Sequence, residues 1–237
     1  MPRKIIVTDF TRFNADDKVC VAGTDMSSGE CIRPIPYLSR SACEKLKLLP
    51  GAIISGELTP SPTRTEPHTE DCDHGPLKYE GPCTSDQFCW ALEKQLAASI
   101  DAGFGSVEKK NERCFPIGHR IPRSIVTIRV KPGNVEILPC KFKKENIKIN
   151  FTDPCGHSYR FFPMTDLGFY KYAISQHKEK KLEELNKFIN SQPVIFLRVG
   201  LSRTYTSPQG ITGHWMQING VYTFPNFHQG LRGYDPQ

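Results

Sequence analysis

The feature that most constrains this chain is the length of its apolar runs. Most span five to eight residues, are rich in Val, Ile and Phe, and are closed by clusters of Gly, Pro, Asn, Asp or Ser. Runs that short, bounded by turn residues, form strands, whereas helices need a longer 3.6-residue periodicity to bury one face. Lys4 to Asp9, Lys18 to Thr24 and Cys31 to Ile35 read as a three-stranded meander. A short helical segment, Ser41 to Leu48, stops at Pro50-Gly51 and is followed by the apolar run Ala52 to Leu58.

Residues 59 to 83 combine prolines with many charges and read as an exposed loop. Thr84 and Gln87 then have the spacing of a capping box, and Phe88, Ala91, Leu92, Gln95 and Leu96 follow at helical spacing to about Ser99. The strand pattern resumes with Ile125 to Val130, turned by Lys131-Pro132-Gly133-Asn134 into Val135 to Cys140. Asn146 to Phe151 and His157 to Phe162 form a further pair. A helical region from Asp166 to about Asn190 precedes the closing strands Val194 to Leu201 and His214 to Thr223. Strands, a helical insertion and further strands follow the order of an OB-type barrel, and the first half gives a weaker copy of it. The expected fold is therefore mainly β with helical insertions, two OB-like small barrels in tandem, residues 1–120 and 121–237, with the boundary between Gly103 and Ser124.

Charge separates the halves. Residues 1 to 120 hold 15 Lys and Arg against 17 Asp and Glu, while residues 121 to 237 hold 16 against 8, and 16 of the 24 aromatic residues lie in the second half. Basic side chains that track phosphates, interleaved with rings that stack on bases, compose a single-strand surface. Core aromatics beside a solvated basic face explain the same composition without a ligand. The set in question is Lys141, Phe142, Lys143, Lys144, Lys148, Tyr159, Arg160, Arg198, Arg203, Tyr205 and Trp215. Alternation along the strand puts Lys148 and Asn150 on one face and Ile147, Ile149 and Phe151 on the other. Phe151, Phe161 and Phe196 are expected to fill the barrel interior.

Nine cysteines without a C-x-x-C pair argue against a secreted disulfide framework and for reduced thiols. Only Ile5, Ile6 and Val7 are apolar before Asp9 and Arg12, so no signal peptide or membrane span is read, and a cytoplasmic location is expected. There is no phosphate-binding G-x-x-x-x-G-K-[ST] loop, no G-x-G-x-x-G fingerprint and no G-x-S-x-G elbow. The deaminase pattern is half met by His68-x-Glu70 but lacks its cysteine pair. No cofactor and no metal site are implied. The densest polar constellation is Glu66, His68, Glu70, Asp71, Asp73 and His74, within nine residues. Its imidazoles and carboxylates could serve as a catalytic centre, with His68, Glu70 and Asp71 at its heart, although carboxylates in such a loop are more commonly just solvated or capping.

A resemblance spans nearly the whole chain. It rests on Ile6-Val7-Thr8-Asp9-Phe10-Thr11-Arg12, Cys31-Ile32-Arg33-Pro34, Pro67-His68-Thr69-Glu70-Asp71, Phe151-Thr152-Asp153 with Thr165-Asp166-Leu167, Leu197-Arg198-Val199-Gly200-Leu201 and the run from Trp215 to Pro225. These segments resemble the dual OB domain proteins associated with nucleic-acid modification. The resemblance implies a fold and a process but little mechanism. The reading that follows is a protein binding single-stranded or distorted nucleic acid, an accessory factor in a modification or defence pathway whose catalysis comes from a protein partner, with no role for a membrane. Two rivals belong to other classes: a metal-assisted, nuclease-like enzyme centred on His68, Glu70 and Asp71, and a protein-interaction scaffold.

Overall fold

The structure is a computed structural model that describes residues 2–12, 17–105, 113–140, 146–228 and 230–232. Strands make up 44% and helices 20% of the described residues, arranged as two curled half-barrel sheets in tandem, so the fold is mainly β with helical insertions.

The first barrel opens with the expected meander, β1 (Arg3–Arg12), β2 (Lys18–Asp25) and β3 (Cys31–Ile35), paired antiparallel in succession. A two-residue strand, β4 (Leu38–Ser39), lies on β2 and leads into α1 (Arg40–Lys45), whose first turn is capped by the Ser39 hydroxyl accepting from the Ala42 amide. β5 (Ala52–Gly56) then returns to the free edge of β1. Residues 59 to 83 are not the exposed loop that their prolines suggest. β6 (Leu58–Pro60) and β7 (Asp71–His74) pair with each other, β7 runs parallel to β3, and β8 (Lys78–Pro82) extends the sheet beyond β5. The sheet order β6-β7-β3-β2-β1-β5-β8 contains the OB sequence of a meander, a helix, a strand back on the first and a last strand parallel to the third.

α2 (Ser85–Glu93) carries the complete capping box, with Thr84 and Gln87 each bonding the other's backbone amide. It ends at Glu93, short of Ser99, and α3 (Ile100–Phe104) follows after a break. β9 (Cys114–Pro116) precedes the second barrel, which comprises β10 (Ile125–Val130), β11 (Val135–Pro139), β12 (Ile147–Thr152) and β13 (Ser158–Pro163). β10 and β11 do not form the hairpin that the Pro132-Gly133 turn suggests. β11 pairs with β12, whereas β10 pairs with β14 (Val194–Leu201), so the turn kinks one continuous path from one sheet into another. The helical region is two helices, α4 (Leu167–Lys178) and α5 (Leu182–Ser191), parted where Lys180 adopts a φ of 61°. β15 (Tyr205–Thr206) and the long β16 (Thr212–Phe224) complete the barrel, with β16 antiparallel to β14 and with an isolated parallel bridge from Ile218 to Met164, just past β13.

No ladder of strands joins the two barrels among the described residues, but a hydrophobic core does. In β1, Ile5 and Val7 point into the first barrel while Ile6 points the other way, into a cluster with Phe88, Ala91 and Leu92 of α2 and Phe196, Tyr222 and Phe224 of β14 and β16. That shared cluster explains why Ile5-Ile6-Val7 is uninterruptedly apolar: both faces of β1 are covered. None of the described helices is long and apolar enough to cross a membrane.

Candidate functional site

The junction of the barrels is also polar, and its arginines are matched one by one. Arg198 of β14 is fully buried, with its guanidinium on the Asp9 carboxylate of β1 at 2.6 and 3.0 Å and on the Thr127 hydroxyl at 3.0 Å. Asn219 of β16 donates to the other Asp9 oxygen at 3.2 Å. Arg33 of β3 donates to Asp71 at 2.6 Å and to the Ser124 hydroxyl at 3.1 Å. Arg203 grips both Asp71 oxygens, at 2.7 and 3.0 Å, and donates to the Tyr37 hydroxyl at 2.8 Å. Glu70 accepts from the amides of Ser124 and Ile125 and from the Ser124 hydroxyl at 2.7 to 3.1 Å. Burial pushes the Asp71 carboxyl up, but the Arg203 hydrogen bonds and the Arg33 charge outweigh it and hold the group below its ordinary range.

Beside this junction opens a cleft of about 610 Å³, lined from both barrels. One end is the junction itself, with Arg33, Tyr37, Arg203 and His68. His68 is 5% exposed, meets His214 edge-on at 5.4 Å between centroids, and has neither ring nitrogen hydrogen-bonded. Burial, with the charges of Arg33 and Arg203, lowers its pKa to about 3, so it is neutral at physiological pH. Cys20 also lines the cleft, and burial raises its thiol above the usual value, which leaves no thiolate nucleophile.

Three other cations that line the cleft are differently placed for partners. Arg12 lies over the Tyr170 ring at 3.7 Å with its Nε unpartnered. Among the described residues Arg113 donates to the neutral carbonyls of Phe161 and Arg160. Lys148 has its pKa lowered by burial and by repulsion from Arg113 and Arg12. Among the described residues these three cations have no carboxylate partner within the cleft. Trp215 and Tyr205 form the rim, where the indole Nε1 donates to the Tyr205 carbonyl at 3.1 Å and fixes the ring. A second, more open hollow of about 480 Å³ lies near Arg3, Glu30 and Lys94, but there Arg3 is already neutralised by Asp25 and Glu30.

The residues singled out by sequence divide accordingly. Lys148, Arg203, Trp215 and Tyr205 meet in the cleft. Arg198 does not belong to any binding surface, because it is sealed against Asp9. Tyr159 is not a stacking ring for a ligand: it is buried, stacked on Phe151 at 4.9 Å. Arg160 is exposed but lies away from the cleft. Lys141, Phe142, Lys143 and Lys144 lie outside the described residues. Of the acidic constellation, Glu70 and Asp71 are buried and held by Ser124, Arg33 and Arg203, and only His68 faces the cleft. Glu66 and Asp73 are exposed, and His74 sits against the carbonyls of Gly75 and Pro36. No three His, Cys, Asp or Glu side chains among the described residues gather as metal ligands.

Sequence reasoning missed Arg12, Arg33, Arg113, Tyr37 and Tyr170 as members of the cleft. Arg33 had a signal in the lone cation of Cys31-Ile32-Arg33-Pro34-Ile35, since a charge inside a buried strand requires a buried partner.

A family model, that of the dual OB-containing domain, matches residues 10–221 of the chain. The chain belongs to that family. The match takes in most of both barrels and every described residue named in the cleft, while Asp9 of the junction falls one position before it. No curated protein matches the chain.

Proposed function

We propose that this dual OB protein binds single-stranded or distorted nucleic acid in the cleft between its barrels, and serves as an accessory factor in a modification or defence pathway in which a protein partner supplies the catalysis. The observation that carries this reading is the group Arg12, Arg113 and Lys148, half-buried cations of which Lys148 is repelled by the other two, with no carboxylate among the described residues to balance them. Holding such charges together costs energy that an anionic ligand returns. The fixed ring of Trp215 and the exposed ring of Tyr205 supply stacking platforms, which accept any base because every base has a π face.

The enzyme reading has less support, because Glu70 and Asp71 are bonded to Ser124 and the arginines and neither hydrogen-bonds the His68 ring. The test is an anisotropy titration of a labelled single strand at several salt concentrations. Replacing Arg113 and Lys148 by Gln should lower the slope of log affinity against log salt by about 0.7 per lost contact. Unchanged binding, or no binding by the wild-type chain, would overturn the proposal and favour the scaffold reading.

A further inference from the structure

We infer that the cleft accepts one unstacked nucleotide, with its phosphate on Arg12, Arg113 and Lys148 and its base edge against His68. This rests on the nucleic-acid reading above and goes further, since a continuous strand could satisfy the cations without entering the junction end at all.

His68 is the reason to extend it. Buried polar atoms are nearly always hydrogen-bonded, and each exception calls for an explanation. Here both nitrogens of one buried ring lack partners, in a side chain that lines a cleft. A neutral imidazole offers one N–H donor and one acceptor lone pair. A phosphate only accepts and can answer the donor alone, whereas a nucleobase carries donors and acceptors together and can answer either nitrogen. The surroundings keep the ring neutral and in place. Arg33 and Arg203 flank it and are themselves fixed by Asp71, and His214 abuts its edge while its own Nδ1 bonds the Ser202 carbonyl at 3.1 Å. The Arg33, Arg203, Glu70 and Asp71 group beside His68 sums to zero formal charge, so it suits the uncharged part of a ligand, while the unbalanced charge is carried by Arg12, Arg113 and Lys148. The volume agrees: about 610 Å³ falls within the roughly 300–1,000 Å³ of pockets that enclose a single small molecule. Trp215, pinned by Tyr205, is placed to stack on the base that leaves its neighbours.

The same chemistry is presented by a nucleotide extruded from a strand and by a free nucleotide. The experiment uses the full chain with labelled homopolymers of adenine, cytosine, thymine and uracil, and with unlabelled nucleoside monophosphates as competitors. It compares wild type, His68→Phe, which fills the space without hydrogen bonds, His68→Gln, which restores a donor and an acceptor, and the Arg113→Gln/Lys148→Gln pair. The expected result is a base preference of about five- to tenfold in wild type, collapsing below twofold in His68→Phe and partly restored in His68→Gln, with the salt slope unchanged in both. The paired cation variant should lower the slope and keep the preference. Displacement by monophosphates assigns the cleft to free nucleotides; discrimination among strands without displacement assigns it to a nucleotide within a strand. Wild-type binding with no base preference, or a preference that survives in His68→Phe, overturns the inference while leaving strand binding in place. Loss of the salt effect instead sinks the nucleic-acid reading. Thermal midpoints of each variant separate misfolding from lost recognition.

Discussion

The two walls of the cleft use the same residue types to opposite ends. On the junction wall Arg33 and Arg203 share Asp71, with Glu70 3.8 Å from Arg33, and behind that wall, sealed from the cleft, Arg198 has Asp9. Elsewhere along the cleft Arg12, Arg113 and Lys148 have none among the described residues, and burial with repulsion from the other two lowers the Lys148 pKa. Matched cations hold the barrels together, and unmatched ones are left over for something that the chain itself does not provide. A count of basic residues cannot make that distinction, since Arg198 and Arg203 look alike in sequence and differ only in what they touch.

Removing a matched cation should be costly to the fold. Arg198→Ala leaves Asp9 charged and buried, and should destabilise the protein by about 3–5 kcal/mol in urea unfolding. The double replacement Arg198→Met with Asp9→Leu should recover most of it. A loss below about 1 kcal/mol would break the contrast between the walls.

The next effect is in the pH dependence of stability. The folded pKa of His68, about 3, lies below its ordinary value of 6.5. Between the two, the unfolded chain takes up a proton that the folded chain refuses, so stability is fully present above pH 6.5 and falls as pH drops toward 3, by at most about 1.4 kcal/mol per unit. Asp71, whose folded pKa is also depressed, adds a loss of the same sign at more acid pH. His68→Phe should flatten the profile between pH 6.5 and 4.5 specifically, and an unaltered profile would show that the ring is solvated.

On the rim, Trp215→Ala should weaken strand binding by about 1–3 kcal/mol with the salt slope and the unfolding midpoint unchanged. The smallest effect has the reverse sign. Lys148→Met removes a repelled, half-buried charge, and should raise stability by roughly 0.5 kcal/mol or more while impairing binding. Destabilisation by Lys148→Met would mean that Lys148 has a structural partner and belongs with the junction.

Local chemistry was legible in the sequence. Thr84 and Gln87 cap α2, Phe88, Ala91 and Leu92 bury as their spacing requires, and Ile147, Ile149 and Phe151 face inward with Lys148 between them. These follow from neighbours within one turn or one strand. What failed depended on distant partners. The Pro-rich stretch hides β7 because its pairing is with β3, where Arg33 lies in register with Asp71 some 38 positions away. The aromatic wealth of the second half misled at Tyr159, whose ring completes a core with Phe151 and Phe162. The Pro132-Gly133 turn has hairpin chemistry, but the strands that it joins find better partners elsewhere.

The pairing of Asp9 with Arg198 spans 189 positions, nearly the whole chain. At a synthesis rate of roughly 5–20 residues per second, the first strand waits on the order of 10 to 40 s for the residue that neutralises it. During that interval Ile6, whose cover comes in part from Phe196, Tyr222 and Phe224, is exposed on the nascent chain. The amino-terminal barrel is therefore the first to be made and among the last to be finished.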